Sequence, residues 1–192
     1  MKVTYFLAIA TILFTSTVSF AQEEHHEASE GSLKRNKAAA VLGYSLIHGV
    51  QNTQTGKEQY VIAPTFGLDY EYWISHKWAI GTYNEFAHVD IEVETEEHEE
   101  FIKRENALLF SVVGIYEAFP RFSIFAGTGV ETDPHHTFWI RYIGLEYSFI
   151  RSDDWDVSVN IGYINKDLYD AVTFGVVIGR RFGKNIPSKK HH

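Results

Sequence analysis

One pattern repeats along the chain: apolar residues alternate with small or polar residues over about eight segments between Lys37 and Gly183. The segment from Val157 to Tyr163 shows it clearly, because Val157, Ile161 and Tyr163 share one side while Ser, Asn and Gly residues occupy the other. Successive side chains of a β-strand point to opposite faces, so each segment has an apolar face and a polar face. The pattern predicts an all-β chain of about eight antiparallel strands.

The length of these segments favours strands that cross a membrane. The predicted strands span 37–49, 60–74, 78–94, 105–117, 122–132, 138–150, 155–164 and 171–183. Most of them reach or exceed the roughly 9–11 residues that a membrane-spanning strand needs. Strands of soluble domains are usually shorter, at about five or six residues.

The connections between the predicted strands alternate in length. Short ones lie at 75–77, 118–121 and 151–154, and longer ones lie at 48–58, 95–104, 133–137 and 165–170. Membrane barrels have short turns on the periplasmic side and longer loops outside. The alternation therefore predicts an up-and-down transmembrane β-barrel with both of its ends in the periplasm.

The direction of the apolar face separates two kinds of barrel. In segment 60–74, Phe66 and Leu68 lie on the face opposite Asp69 and Glu71. If the apolar face pointed inward, as in a soluble lipocalin-like binder of apolar ligands, the outer surface would be rich in Gly and Ser. If it points outward, lipid meets the apolar side chains, and the narrow interior of eight strands holds the small and charged ones. We predict the membrane barrel and keep the soluble barrel as the alternative.

The predicted interior contains charged side chains, which are costly to bury unless they are paired. The predicted interior polar residues are Asp69, Glu71, Glu117, Glu131, Glu146 and Arg181. We expect Arg181 to pair with one of these acids. We also expect Phe125 or Val177 to plug the interior.

One strand departs from the alternation. In segment 78–94 the pattern places Glu85 on the lipid face, Phe86 on the interior face and Ala87 with the apolar residues. A β-bulge near Glu85 would restore the phase, because one extra residue reverses the direction of every later side chain.

Aromatic residues gather near those strand ends that lie on the periplasmic side. The predicted aromatic girdle comprises Tyr70, Tyr72, Trp73, Trp78, Tyr116, Phe122, Tyr147, Phe149, Trp155 and Phe182. Such a belt anchors a membrane protein at the boundary between lipid and water.

The two ends of the chain lack the alternation. Residues 1–21 carry the features of a cleaved signal peptide, and 22–36 are polar enough to form a flexible periplasmic leader. One barrel of residues 37–183 follows, and 184–192 form a polar tail. The chain has no cysteine, so it has no disulfides. Its net charge of −8 argues against nucleic acid as a partner.

The ensemble resembles the small outer-membrane β-barrel superfamily of Gram-negative bacteria, which includes the OmpA-like and OmpX-like porin-family barrels. The most specific element is the last strand, Thr173-Phe-Gly-Val-Val-Ile-Gly-Arg-Arg-Phe182, which looks like the assembly signal of such barrels. Arg180 departs from that signal, since an apolar residue is expected there. The resemblance implies outer-membrane localisation, with outer-membrane lipid and the barrel-assembly machinery as partners.

Histidines next to acids suggest metal binding as one candidate chemistry. The chain has 10 histidines, and imidazole together with carboxylate suits zinc, nickel or copper. His98, His135 and His136 fall on predicted outer loops and form the candidate metal site. The simpler interpretation is that loop histidines are solvated, so we predict no cofactor.

Catalysis is not indicated by any residue spacing. His88 and Asp90 form the strongest acid–base candidate, on the interior side of their strand. We predict a non-catalytic outer-membrane protein with a structural or surface-interaction role, whose extracellular or periplasmic partner the sequence does not identify. A small pore is the further alternative, and its acidic lining would favour cations.

Overall fold

Eight strands form a closed antiparallel barrel in the computed structural model, which describes residues 33–51, 58–94, 101–166 and 169–186. The strands are β1 (Lys34–Gln51), β2 (Glu58–Trp73), β3 (Trp78–Glu94), β4 (Phe101–Phe119), β5 (Phe122–Thr132), β6 (Thr137–Arg151), β7 (Trp155–Lys166) and β8 (Asp170–Asn185). Each strand pairs with the next one, and β8 pairs with β1 to close the barrel. The predicted up-and-down fold is confirmed.

Among the described residues, no helix is long and apolar enough to cross a membrane.

The first and last strands extend beyond the predicted bounds. β1 begins at Lys34, within the predicted leader, and β8 continues to Asn185, within the predicted tail. Lys34 pairs with Asn185, and Asn36 pairs with Phe182. Backbone pairing depends on N–H and C=O groups, so polar side chains do not stop it. The predicted signal peptide at 1–21 lies outside the described residues.

The barrel has two rims. The rim that carries Lys34, Asn185 and the turns at 74–77, 120–121 and 152–154 is called the terminal rim. The opposite rim, where the longer connections lie, is called the loop rim. Serines stabilise two turns of the terminal rim, because Ser75 Oγ accepts the Trp78 N–H and Ser152 Oγ accepts the Trp155 N–H, both at 3.1 Å.

Apolar side chains cover the outside of the barrel. On β2, Leu68 is 71% exposed, whereas Asp69 and Glu71 are buried inside. Other outward side chains are Leu42, Phe66, Phe110, Val112, Ile143, Leu145, Val159, Ile161, Phe174, Val176 and Ile178. The soluble lipocalin-like alternative is therefore wrong, because that barrel requires its apolar face inside.

The irregularity in β3 differs from its prediction. Glu85 points inward and is buried, whereas its neighbour Phe86 pairs with the exposed Phe66 and Leu108 on the outer face. Ala87 also faces the interior, where it lines a small cavity. The predicted lipid-facing Glu85 is wrong. The register shift exists, but it lies between Ala87 and Asp90, so the phase changes only after Glu85.

Candidate functional site

A buried charge network crosses the interior on the side of the terminal rim. Lys37 of β1 is 1% exposed, and its Nζ lies 3.0 Å from Glu71 Oε1 of β2 and 2.8 Å from Glu146 Oε1 of β6. One lysine thus connects two acids from strands on different sides of the barrel. Together with Arg181 and Asp156 these residues form the terminal-side network.

Neutral donors complete the hydrogen bonding of the two glutamates. Trp73 Nε1 donates to Glu71 Oε2 at 2.8 Å, Tyr83 OH donates to Glu71 Oε1 at 3.3 Å, and Ser158 Oγ donates to Glu146 Oε1 at 2.9 Å. Trp73 is 2% exposed, so its assignment to the outer girdle is wrong. An indole N–H seeks a partner when it is buried, and Glu71 supplies that partner.

Arg181 pairs with an acid that the sequence analysis did not include. Its Nη2 donates to Asp156 Oδ2 at 2.7 Å, and both side chains are fully buried. Arg151 Nε lies 3.6 Å from the same carboxylate oxygen, and its Nη1 donates to Glu117 Oε2 at 2.8 Å. Glu117 is partly buried. The expected partner for Arg181 was Asp69, Glu71, Glu117, Glu131 or Glu146, and the structure replaces it with Asp156.

An aromatic layer fills the middle of the interior. Tyr83, Phe125 and Tyr142 come from three different strands, and each is almost completely buried. The Phe125 ring lies 5.1 Å from the Tyr83 ring and 5.1 Å from the Tyr142 ring, with edge-to-face geometry in both pairs. Val177 is also buried inside. This layer separates the terminal-side network from the polar groups nearer the loop rim.

A second polar network lies between the aromatic layer and the loop rim. Tyr142 OH donates to Glu85 Oε1 at 2.9 Å. Lys166 Nζ pairs with Glu131 Oε2, and Tyr169 OH donates to Glu131 Oε1. The cavity among these residues has a volume of about 20 Å³, which is room for about one water molecule. We call these residues the loop-side network.

Asp69 is the remaining acid of the predicted interior set. It is buried, and its Oδ1 accepts the backbone N–H of Asn84 at 3.2 Å.

Aromatic side chains surround the outside at both rims. The exposed aromatics towards the terminal rim include Tyr70, Tyr72, Trp78, Tyr147, Phe149, Trp155 and Phe182. Trp78 packs against Tyr116 with ring centroids 4.6 Å apart. The sequence analysis missed a second group towards the loop rim, formed by Tyr60, Trp139 and Tyr163.

The sequence of this chain matches no protein-family model and no curated protein. Among solved structures, OprG from Pseudomonas aeruginosa is similar at a TM-score of 0.50 and 12% identity, covering 79% of this chain and 98% of OprG. The fold is that of a small outer-membrane β-barrel.

Two further solved structures are similar. Ail, the attachment invasion locus protein of Yersinia pestis, gives a TM-score of 0.47 at 15% identity, covering 78% of this chain and 100% of Ail. The outer-membrane protein AlkL gives 0.46 at 13% identity, covering 88% of this chain and 100% of AlkL. The outward apolar faces of the present barrel are those expected of a barrel that contacts lipid.

The candidate metal and catalytic residues form no common site where their positions are described, although the rings of His135 and His136 lie 6.2 Å apart. His135 and His136 lie in the β5–β6 connection, where Asp133 Oδ1 accepts both of their backbone N–H groups. His98 lies outside the described residues, and the described part contains no group of three or more possible metal ligands. His88 is exposed, with Nδ1 2.8 Å from Asn106 Oδ1, and the side chain of Asp90 lies outside the description.

Sequence reasoning missed Lys37, Asp156 and Lys166 as interior residues. Each occupies the inward phase of its strand, since Asp156 precedes the buried Ser158 and Lys166 follows the buried Ile164 on β7. Extending the alternation to the ends of each strand would have found them. Lys37 and Asp156 lie at the beginnings of predicted strands, and Lys166 lies in a predicted connection.

One ion pair at the terminal rim gives a test that depends on pH. Lys34 donates to the exposed Asp154, and this hydrogen bond together with the lysine's charge lowers the pKa of the Asp154 carboxyl below its ordinary value. The pair therefore persists above that lowered pKa and is lost as the pH falls through it. We expect Lys34→Met to raise the Asp154 pKa towards its ordinary value. NMR titration of the labelled carboxyl carbon measures this shift.

Lys77→Met is the control for this titration, since Lys77 lies on a different turn of the same rim. It is expected to leave the Asp154 titration unchanged. An identical Asp154 pKa in the wild type and in Lys34→Met would contradict the assignment of this ion pair.

Proposed function

We propose that the protein is a non-conducting, non-catalytic outer-membrane barrel that serves as a structural or surface-interaction protein. The observation that carries the proposal is the packed interior. Two polar networks and the aromatic layer between them occupy the space that a pore would need. A barrel built in this way is a rigid support, and its residues that the structure describes leave no water-filled path.

The pairing of the interior acids also weakens the cation-pore alternative. A cation-selective pore exposes its carboxylates to water in the lumen, where a passing ion can meet them. Here Glu71 and Glu146 both form ion pairs with Lys37. Asp156 forms an ion pair with Arg181, and Glu131 forms one with Lys166. These carboxylates already have cationic partners inside the barrel.

The proposed orientation places the terminal rim in the periplasm and the loop rim outside. Residues 90–105, which span the end of β3, its connection to β4 and the start of β4, include eight acidic residues. In this orientation that acidic segment faces the exterior and is the candidate contact surface. Assembly into the membrane uses β8, whose outward residues Phe174, Val176 and Phe182 fit the assembly signal.

Conductance across a planar lipid bilayer tests the proposal directly. We expect the wild-type protein to produce no stable conductance steps, because side chains fill its interior. We expect the triple variant Tyr83→Ala, Phe125→Ala, Tyr142→Ala to produce steps, because it removes the aromatic layer. A boiled and unboiled gel comparison shows whether the variant still folds as a closed barrel.

The matched control is Tyr44→Ala, Phe66→Ala, Phe110→Ala, which removes three aromatic rings from the outer face and leaves β8 unchanged. This control variant is expected to produce no conductance steps, like the wild type. Stable conductance steps from the folded wild type would overturn the proposal and restore the pore.

A further inference from the structure

Arg180 stands on the outer face of β8 at a position where the alternation expects an apolar residue. It is exposed, and its guanidinium carbon lies 5.9 Å from the centre of the Trp155 ring on β7. A charged side chain on a lipid-facing strand is costly in the middle of the bilayer and much less so near its surface. Its place in the fold, next to the turn at 152–154, puts Arg180 at that surface.

A second arginine lies on the neighbouring strand. Arg35 of β1 donates from Nη1 to Tyr72 OH at 3.1 Å. The adjacent Asn36 accepts a hydrogen bond from Tyr70 OH at 2.7 Å and donates to the Phe182 carbonyl at 3.1 Å. These bonds tie the beginning of β1 to β2 and β8 and position Arg35 at the terminal rim.

The strand register places Arg180, and Tyr72 as the hydrogen-bond partner of Arg35, in two short rows on the outer face. In the first row Trp155 pairs with Arg180, Arg180 with Ala38, and Ala38 with Tyr70. In the second row Phe182 pairs with Asn36, which pairs with Tyr72. Side chains directly opposite each other on one face of a sheet are neighbours. Ala38, with its small side chain, lies between Arg180 and Tyr70 in the first row.

The two arginines keep hydrogen-bond donors available. A guanidinium has about five N–H donors, and Arg35 uses one of them on Tyr72. Within the described part of the chain, neither Arg35 nor Arg180 forms a carboxylate ion pair, whereas Lys34 of the same rim pairs with Asp154. The charge of Arg180 also lowers the pKa of the Asp154 carboxyl, but it is a weaker cause than Lys34. The rim therefore presents free guanidinium groups framed by aromatic side chains.

We propose that Arg35, Ala38, Tyr72, Trp155 and Arg180 form a site for the headgroup phosphate of an anionic phospholipid in the periplasmic leaflet. We call this site the rim patch. Arginine recognises phosphate through paired N–H donors, and Tyr and Trp lie at headgroup depth. The site rests on the orientation proposed above, with the terminal rim in the periplasm, but it does not require a closed lumen, so it stands whether or not the barrel conducts.

Lipid retention in the gas phase tests the rim patch. The folded protein in a maltoside detergent, which carries no phosphate, is titrated with phosphatidylglycerol and the bound fraction is read by native mass spectrometry. We expect Arg35→Gln, Arg180→Gln to weaken binding by roughly tenfold or more, because two cations near the headgroup are lost. Phosphatidylcholine, whose phosphate is offset by its own cation, is expected to bind the wild type more weakly.

The matched control is Lys77→Gln, Arg121→Gln, which removes the same charge from two other turns of the terminal rim. We expect this variant to bind phosphatidylglycerol as the wild type does. Equal losses in both variants would show a diffuse charge effect and overturn the site, as would unchanged binding in Arg35→Gln, Arg180→Gln. Displacement of the lipid by inorganic phosphate alone would also overturn it, by reassigning the patch to a soluble anion.

Discussion

Replacement of Lys37 by methionine is expected to lower the free energy of unfolding of the barrel by about 3–5 kcal/mol. The ammonium group lies within 3.0 Å of Glu71 Oε1 and 2.8 Å of Glu146 Oε1 inside the barrel. Methionine fills a similar volume but leaves two buried carboxylates without their cation. Urea unfolding in phosphatidylcholine vesicles, followed by tryptophan fluorescence, measures the loss.

Lys34→Met supplies a matched control on the same strand. Lys34 also pairs with an aspartate, but that pair is open to water, with side-chain exposures of 28% and 53%. Exposed ion pairs contribute little to stability, because water screens the attraction and two long side chains must be held in one geometry. Adding Glu71→Gln and Glu146→Gln to Lys37→Met is expected to recover part of the lost stability. Similar losses in the Lys34 and Lys37 variants would show that the terminal-side network is unimportant for stability.

Gly129→Ala on β5 is expected to destabilise the barrel by about 3 kcal/mol or more. A Cβ atom at this inward position would lie 1.9 Å from the Phe110 carbonyl oxygen and 2.6 Å from Ser111 Cα, both on β4. These are backbone atoms, so relief requires β4 and β5 to move apart and lose ladder hydrogen bonds. The same urea unfolding experiment measures the change.

Gly114→Ala on the adjacent β4 is the control for the glycine prediction. Its added Cβ would meet only the Ala126 carbonyl oxygen, at 3.9 Å, which is an ordinary contact. Stability is expected to stay the same or to rise by up to about 1 kcal/mol, because alanine restricts the unfolded chain. If Gly129→Ala and Gly114→Ala change the free energy of unfolding equally, that result would contradict the close approach of β4 and β5 at Gly129.

The alternation of single residues was sufficient to predict the barrel and the direction of its faces. Phe66, Leu68 and Tyr70 lie outside and Asp69 and Glu71 inside because every strand turns successive side chains to opposite faces. That rule is local, so a short stretch of sequence determines it. The rule gave the wrong face for Glu85, because the alternation alone does not locate a β-bulge. The register shift lies after Glu85, between Ala87 and Asp90.

Only the tertiary structure determined which interior residues meet. Lys37 and Glu146 are 109 positions apart, and their contact depends on the registers of the intervening strands around the barrel. The same dependence gave Arg181 the partner Asp156 and turned Trp73 towards Glu71. Alternation assigns a side chain to one face of its strand. Its position along the barrel axis depends on the registers between all eight strands. The sequence by itself therefore determined the barrel and its apolar outer surface, whereas barrel closure decided which charged residues pair inside it.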